Sequence, residues 1–216
     1  MEKALIIAGG DNKDILIESL YNSDESYKVL IAVDRGLEIL DKLQIKPDYI
    51  LGDFDSVSEK IINKYINRND ISIIKHAVEK DASDTELALD LCAKLGIKEV
   101  TIAGATGNRA DHELANIRLT YYYKIKGMNV TLIDQNNKIY CADSSFSILN
   151  SGQYVSFFPI GEAAVLLTLE NFKYEIDRVQ LNYNKSPTFA VGNNIIADSG
   201  NIIFDSGYLI VIESID

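Results

Sequence analysis

The sequence has few cysteines and no long apolar run. Its 216 residues include 2 cysteines, Cys92 and Cys141, which lie far apart and do not form a metal-type pair. Cys92 falls in a predicted helix, where a small buried core residue is the usual role. Disulfide bonds and secretion are therefore unsupported, and we expect a cytoplasmic protein.

No stretch reaches the roughly 20 apolar residues that a membrane span requires. The chain starts with Met1-Glu2-Lys3 and the short apolar run Ala4–Ala8. This start lacks the longer apolar core and the cleavage site of a signal peptide, so we interpret it as a first strand.

Basic residues are also scarce. The chain has 21 Lys and Arg against 32 Asp and Glu, a formal net charge of -11. This excess of negative charge argues against nucleic acid and anionic membranes as partners, because both need a basic surface. A small phosphorylated ligand is not excluded, since metal ions and a few basic residues can reverse the sign of a local site.

Up to about residue 134, apolar strand patterns alternate with helical patterns. This alternation predicts a mainly parallel sheet with helices on both faces. The predicted strands are Leu5–Ala8, Val29–Val33, Tyr49–Leu51, Ile71–Ile74, Val100–Ala103 and Val130–Ile133. The predicted helices are Asp14–Tyr21, Leu37–Leu43, Ser58–Asn67, Thr85–Leu95 and Asp111–Lys126.

From Lys138 onward the helical periodicity is lost and short β-rich runs follow one another. These runs are Phe146–Leu149, Tyr154–Phe158, Val165–Leu169, Ile202–Phe204 and Tyr208–Ile212. Glycine-containing turns separate them, and Asp205-Ser206-Gly207 is typical of a hairpin turn. The pattern predicts a small antiparallel sandwich or barrel, and therefore two domains, residues 1–134 and residues 138–216.

Glycine and polar residues recur where the predicted strands end. The carboxyl ends of parallel strands meet at one edge of a sheet, where ligands bind. A site for a metal-bound phosphate ligand is therefore expected at this edge. Its candidate residues are Gly9-Gly10-Asp11-Asn12, Asp34-Arg35-Gly36, Asp53, Asp55, Lys80, Asp81, Ser83, Asp84, Gly104-Ala105-Thr106-Gly107, Asn108, Arg109, Asp111 and His112.

Each cluster also has a purely structural interpretation. Asp53 and Asp55 can lean to one side because Phe54 alternates away, which suits a divalent cation, but paired aspartates also occur in turns. Ser83 and Glu86 have the spacing of a capping box, which by itself accounts for an acidic Asp84 in the first helical turn.

The Gly104–Gly107 segment is either a phosphate-binding loop or a tight strand-to-helix turn. Arg109 at a helix start opposes the helix dipole unless an anion lies nearby, which favours a phosphate role. His112 and His76 are candidates for the edge of the site, although a surface histidine is the commoner interpretation.

Four of these elements, in order, resemble the motifs of the thiamin pyrophosphokinase family. They are VDRG at 33–36, GDFDS at 52–56, KDASD at 80–84 and GATGNRADH at 104–112. The resemblance implies transfer of a pyrophosphoryl group from ATP to the hydroxyl of thiamin. It also implies a Rossmann-like α/β domain, a C-terminal β-sandwich, and a homodimer with the thiamin site at its interface.

The resemblance also implies roles for individual residues. One or two Mg²⁺ ions would be held by Asp53, Asp55, Asp81 and Asp84, directly or through waters, while Asp34 and Asp111 orient the reacting groups. Nucleotide phosphates would be held by Lys80, Arg35, Arg109, His112 and the amides of Gly104, Ala105, Thr106 and Gly107.

The chain departs from the family pattern at three positions. Arg35 stands where many members have glycine, Asn108 replaces a frequent second glycine, and Gly192-Asn193 is the best counterpart of a Ser-Asn pair in the thiamin pocket. With no tryptophan in the chain, Phe172, Tyr174 or Phe189 would have to stack on thiamin.

Two other functions fit part of the sequence. Glycosyltransferases that use nucleotide sugars also carry Asp-x-Asp after a strand, but they rarely need the clusters at 80–84 and 104–112. A sensor that binds a nucleotide or thiamin without turnover is the non-enzymatic alternative.

Overall fold

The computed structural model describes residues 2–10, 14–23, 27–75, 82–107, 109–182 and 188–216. These residues form two compact units. Unit 1 comprises Met1–Leu119 and Gly127–Gln135, and unit 2 comprises Thr120–Lys126 and Asn136–Asp216. Among the described residues, no helix has the length and apolar character needed to cross a membrane.

Unit 1 contains a parallel sheet, as the sequence predicts. Its six strands are β1 (Lys3–Ile7), β2 (Tyr27–Val33), β3 (Tyr49–Gly52), β4 (Ser72–Lys75), β5 (Glu99–Ala103) and β6 (Asn129–Ile133). They lie in the order β6-β5-β1-β2-β3-β4, and every neighbouring pair is parallel. In β1 the four residues from Ala4 to Ile7 are fully buried, which is typical of a parallel strand covered on both faces.

The strand order fixes where a ligand can bind. The chain moves outward from β1 to β4 and then crosses back to β5 on the other side of β1. The direction of winding therefore reverses between β1 and β5. In open parallel sheets the crevice for a ligand lies at such a point, beyond the carboxyl ends of the strands.

Five helices connect these strands. They are α1 (Asp14–Tyr21), α2 (Gly36–Lys42), α3 (Glu59–Tyr65), α4 (Asp84–Lys94) and α5 (Ala110–Lys124). Leu37 and Leu40 of α2 pack in one cluster with Leu5 and Ile7 of β1. Because crossovers are right-handed, the reversal after β4 places α4 on the opposite face, where it packs against β2 and β3.

The helices and strands predicted for this part of the chain are confirmed, with ends that differ by one or two residues. Cys92 of α4 is fully buried, as expected for a small core residue. Burial raises the pKa of its thiol to about 12, so Cys92 stays protonated near neutral pH.

Unit 2 contains two antiparallel groups of strands. The strands are β7 (Asn137–Ala142), β8 (Phe146–Leu149), β9 (Tyr154–Ile160), β10 (Val165–Glu170), β11 (Ile176–Leu181), β12 (Asn193–Asn194), β13 (Ser199–Ile203) and β14 (Tyr208–Ser214). One group has the order β12-β9-β14-β7 and the other β11-β10-β13-β8. Phe157 of the first group shares a buried cluster with Leu167 and Ile202 of the second, so the predicted sandwich is confirmed.

One local prediction for this unit is wrong. Gly207 has φ +86°, so the Asp205-Ser206-Gly207 segment does turn with glycine at the left-handed position. However, β13 pairs with β8 and β10, whereas β14 pairs with β7 and β9. The turn therefore carries the chain from one sheet to the other and does not close a hairpin.

The structure also corrects the role expected for Phe172. Its side chain is 0% exposed, and its ring lies 5.9 Å from that of Phe157 in an edge-to-face arrangement. A Cβ on Gly200 would lie 2.5 Å from its ring. Phe172 is thus a core residue of the sandwich with no face available for a ligand, whereas Phe189 and Tyr174 are exposed.

We expect Phe172→Ala to lower the free energy of unfolding by about 3–5 kcal/mol, because it leaves a cavity in the sandwich core. Phe189→Ala is the matched control, with an expected change of about 0.5 kcal/mol or less because its ring is half-exposed. Chemical denaturation measures both. Equal losses in the two variants would contradict the core assignment.

Candidate active site

The strand ends of unit 1 approach so closely that side chains are excluded at several positions. A Cβ on Gly36 would lie 1.9 Å from the carbonyl oxygen of Ile7. A Cβ on Gly10 would lie 2.4 Å from the carbonyl oxygens of both Gly104 and Thr106. The loops that follow β1, β2 and β5 therefore meet at one edge of the sheet.

Asp34 connects this edge to β3. Its backbone is left-handed, with φ +46°, and its N–H donates to the carbonyl of Leu51 at 3.0 Å. Its carboxylate Oδ1 is buried, and a Cβ on Gly52 would lie only 1.9 Å from that atom. Glycine at 52 thus provides the space that the Asp34 carboxylate occupies.

Asp53 and Asp55 form a turn directly after β3. The N–H of Asp55 donates to Oδ1 of Asp53 at 3.0 Å, and Phe54 between them has φ +65°. Phe54 is half-buried against the core of unit 1, which directs the two acidic residues away from it. The aspartate turn considered from the sequence is therefore present, and both carboxylates lie beside it.

The charge of Asp84, the first residue of α4, also acts on Asp55 in this turn. The hydrogen bond with Asp53 and the charge of Asp53 raise the pKa of the Asp55 carboxyl, and the charge of Asp84 adds to this shift. Like charges raise a carboxyl pKa only when they lie close together. The carboxylates of Asp53 and Asp55, after β3, and of Asp84, at the start of α4, thus contribute to one region of negative potential.

Ser83 is the N-cap of α4, as its spacing predicts. Its hydroxyl accepts the N–H of Glu86 at 3.2 Å. Asp84 therefore lies in the first turn of α4, where the helix dipole stabilises its negative charge. Capping explains the local position of Asp84, and its proximity to Asp55 is a separate property.

The metal-binding prediction lies partly outside the described residues. Lys80, Asp81 and His76 fall there, as do Asp11, Asn12 and Asn108. Within the described ranges, no three His, Cys, Asp or Glu side chains form a group that could hold a metal ion. The chemistry of Asp53, Asp55 and Asp84 nevertheless fits Mg²⁺, which takes carboxylate oxygens and keeps several waters.

The loop after β5, residues 104–107, is held by three contacts. The N–H of Gly10 donates to the carbonyl of Gly104 at 2.9 Å, and Nδ2 of Asn116 donates to the carbonyl of Ala105 at 2.7 Å. The hydroxyl of Thr106 donates to Oδ2 of Asp134 at 2.7 Å.

Asn116 and Asp134 are absent from the residues proposed from the sequence. Asp134 directly follows β6, so the rule that found the other strand-end residues would also have found it. Asn116 lies inside α5, and nothing in its sequence neighbourhood distinguishes it from a surface asparagine.

Arg109 and Asp111 form a two-point ion pair at the start of α5. Nη2 of Arg109 lies 2.6 Å from Oδ2 of Asp111, and Nε lies 3.2 Å from Oδ1. Hydrogen bonding to Arg109 lowers the pKa of Asp111 to about 2, and the charge of Arg109 contributes. Both side chains are exposed, as is His112.

Arg35 follows Asp34 and is also exposed. Its Nε lies 3.7 Å from a carboxylate oxygen of Glu38, one turn along α2. The three basic groups Arg35, Arg109 and His112 are therefore on the surface of unit 1. Considering partners within the described residues, Arg109 is the one of the three with a short ion pair that fixes its orientation.

Gly192 and Asn193 lie beside strand β9 in unit 2. Gly192 has φ +69°, and its N–H donates to the hydroxyl of Ser156 at 2.9 Å. Asn193 is buried, and its amide holds the backbone of Tyr174 through two hydrogen bonds, of 2.8 and 3.1 Å. Asn193 therefore fixes the segment that carries the exposed Tyr174 ring.

Comparison with known proteins identifies two matching family descriptions. "Thiamin pyrophosphokinase, catalytic domain" matches residues 21–132, and "Thiamin pyrophosphokinase, vitamin B1 binding domain" matches residues 137–209. Thiamine pyrophosphokinase of Bacillus subtilis (strain 168) is 32% identical to the chain, covering 100% of both.

Solved structures show the same relationship. The crystal structure of thiamine pyrophosphokinase from Bacillus subtilis superposes with a TM-score of 0.86 at 31% identity, covering 100% of both chains. That of thiamin pyrophosphokinase from Geobacillus thermodenitrificans gives a TM-score of 0.82 at 27% identity, covering 99% of this chain and 98% of the other.

We expect Arg109→Gln to raise the pKa of Asp111 from about 2 toward the ordinary value of 3.8. A lowered pKa means that the ion pair is present above the ordinary value and is lost as the pH falls through about 2. Carbon NMR of the carboxyl groups during acid titration measures the shift. Arg68→Gln, which removes a similar pair with Asp70, should leave Asp111 unchanged; an unshifted Asp111 in Arg109→Gln would contradict the assignment.

Proposed function

The chain belongs to the thiamin pyrophosphokinase family and transfers the pyrophosphoryl group of ATP to the hydroxyl of thiamin, and we propose that the strand-end carboxylates of unit 1 bind the Mg²⁺ that accompanies ATP. Asp53, Asp55 and Asp84 hold it, together with Asp81, directly or through waters. The observation that carries this proposal is the turn after β3, in which the N–H of Asp55 donates to Oδ1 of Asp53 at 3.0 Å. The hydrogen bond with Asp53 and the charges of Asp53 and Asp84 raise the pKa of Asp55, which agrees with it.

In this reaction the thiamin hydroxyl oxygen forms a bond to the β-phosphorus of ATP, the bond between that phosphorus and the bridging oxygen to the α-phosphorus breaks, and AMP leaves with that oxygen. Bound Mg²⁺ supplies the positive charge that offsets the repulsion between carboxylates and phosphates. The residues of the chain hold the thiamin hydroxyl and the β-phosphorus in a reactive orientation. Such positioning accounts for much of the rate enhancement in group transfers of this kind.

We assign the nucleotide phosphates to the loop 104–107 with Arg109, Arg35, His112 and Lys80. The backbone amides of Gly104, Ala105, Thr106 and Gly107 lie between a strand and the start of a long helix, an arrangement that favours anions. The ion pair with Asp111 fixes the orientation of the planar Arg109 guanidinium. A planar guanidinium suits two-point contact with phosphate oxygens.

Asp34 and Asp111 are the candidates that orient the reacting groups. The carboxylate of Asp34 is fixed in the space beside Gly52, whereas that of Asp111 is held by Arg109. The lowered pKa of Asp111 means that it is ionised at neutral pH and weakly basic. Its proposed contribution is therefore orientation and not removal of the hydroxyl proton.

The residues that we propose to bind thiamin in unit 2 are Gly192, Asn193, Tyr174 and Phe189. Asn193 acts through the segment that carries Tyr174, Gly192 lies next to the Ser156 hydroxyl, and Tyr174 and Phe189 offer exposed aromatic rings. Phe172 does not belong to this set, because its side chain is buried in the sandwich core. An exposed ring provides a face for the cationic thiazolium of thiamin.

We also propose that residues 1–134 form the catalytic domain and residues 138–216 the thiamin-binding and dimerisation domain, with a homodimer as the working assembly. The two family matches, to residues 21–132 and 137–209, support this division. A cytoplasmic location is proposed from the two buried free cysteines, since disulfides are favoured outside that compartment.

Product analysis tests the function directly. Incubation with ATP, Mg²⁺ and thiamin should yield AMP and thiamin diphosphate in equal amounts, because one transfer releases one of each. ADP in place of AMP would indicate transfer of a single phosphoryl group. ATP binding without any product would favour the sensor.

We expect Asp55→Asn and Asp84→Asn each to lower kcat by about 10²-fold or more, because each removes a charge that holds the metal, with the fold retained. The control is Asp70→Asn, which removes a surface carboxylate paired with Arg68. Steady-state kinetics over a range of Mg²⁺ concentrations measures the effect. A wild-type kcat in both site variants would show that Asp55 and Asp84 do not hold the metal.

A further inference from the structure

The carbonyl groups of Gly104, Ala105 and Thr106 in the loop 104–107 each lie against another part of unit 1. The Gly104 carbonyl accepts from the N–H of Gly10, and the Ala105 carbonyl accepts from Nδ2 of Asn116 at 2.7 Å. The Thr106 carbonyl also faces Gly10, since a Cβ there would lie 2.4 Å from its oxygen. Three successive peptide units thus contact either Gly10 or the buried Asn116, which orients them.

This orientation determines where the amides point. A trans peptide unit is planar, so its N–H points opposite to its carbonyl. The N–H groups of Ala105, Thr106 and Gly107 are therefore directed away from the groups that hold the preceding carbonyls. Successive backbone N–H groups that converge form a concave site for an anion.

Two contacts of the loop depend on side chains. The Thr106 hydroxyl binds Asp134, whereas Asn116 holds the central peptide unit. Asn116 is 8% exposed and Ala105 is 5% exposed, so the hydrogen bond between them lies in the interior. A buried carbonyl that loses its donor is strongly disfavoured. Rotation of the peptide toward another donor would then turn the Thr106 N–H away from its present direction.

We propose that Asn116 is a positioning residue that sets the affinity of this loop for the nucleotide phosphates. The inference rests on the proposed function, in which the loop binds those phosphates. Because Asn116 is buried and binds the Ala105 carbonyl, its proposed action is through the peptide unit between Ala105 and Thr106. Its effect is therefore confined to the nucleotide and leaves thiamin recognition intact.

The test is Asn116→Leu, which keeps the approximate volume and removes the donor. We expect KM for ATP to rise about tenfold or more, with KM for thiamin within about twofold of wild type. The control is Tyr65→Phe, which removes the 3.0 Å hydrogen bond to Asp41 at the far end of α3 in the same unit. It should leave both KM values unchanged.

Two kinetic outcomes would overturn the inference. One is an Asn116→Leu enzyme with wild-type KM for ATP, and the other is an equal rise of both KM values, which indicates a general loss of structure. Wild-type protein that forms no AMP would instead refute the proposed function. Active wild type with an unaffected variant refutes only the role of Asn116.

A second measurement uses the wild-type chain and does not depend on the folding of a variant. Nitrogen-15 NMR follows the amides of Ala105 and Thr106 during titration with ADP. We expect both amide signals to shift and to saturate together with nucleotide binding. Signals that stay unchanged at saturating ADP would overturn the inference, because the amides would then not face the phosphates.

Discussion

The site depends on the close approach of backbone segments at the carboxyl edge of the parallel sheet. Gly36 lies against the carbonyl of Ile7, Gly10 against those of Gly104 and Thr106, and Gly52 against the carboxylate of Asp34. A side chain at any of these positions would force the loops apart. Without this approach, acidic residues from β2, β3 and α4 would be separate surface groups on an already acidic protein.

The charges of the acidic residues at this edge indicate which kind of ligand the site suits. The hydrogen bond with Asp53 and the charges of Asp53 and Asp84 raise the pKa of the Asp55 carboxyl. The loop 104–107 follows β5 at the same edge of the sheet, and its carbonyls accept from Gly10 and Asn116. In the function that we propose, the carboxylates and the amides of this loop together bind a metal-bound polyphosphate.

Much of the α/β unit could be predicted from the sequence, because buried parallel strands form apolar runs and glycine or aspartate ends or closely follows each of them except β4. The same reasoning placed Asp34, Asp53, Asp55 and Asp84 near one edge. It failed for Phe172, since an aromatic residue in a β-rich region has the same pattern whether it fills the core or faces a ligand. It also missed Asn116, whose contact with Ala105 depends on the register of α5 against a loop.

The central claim is that one strand-end site binds the metal and the phosphates of ATP together. A crystal structure with Mg²⁺, thiamin and α,β-methylene ATP, in which the bond to be broken is blocked, tests this claim most directly. We expect Mg²⁺ on Asp53, Asp55 and Asp84, directly or through water, and phosphate oxygens against the amides of the loop 104–107. Nucleotide phosphates bound away from these residues, with the aspartates free of metal, would contradict it.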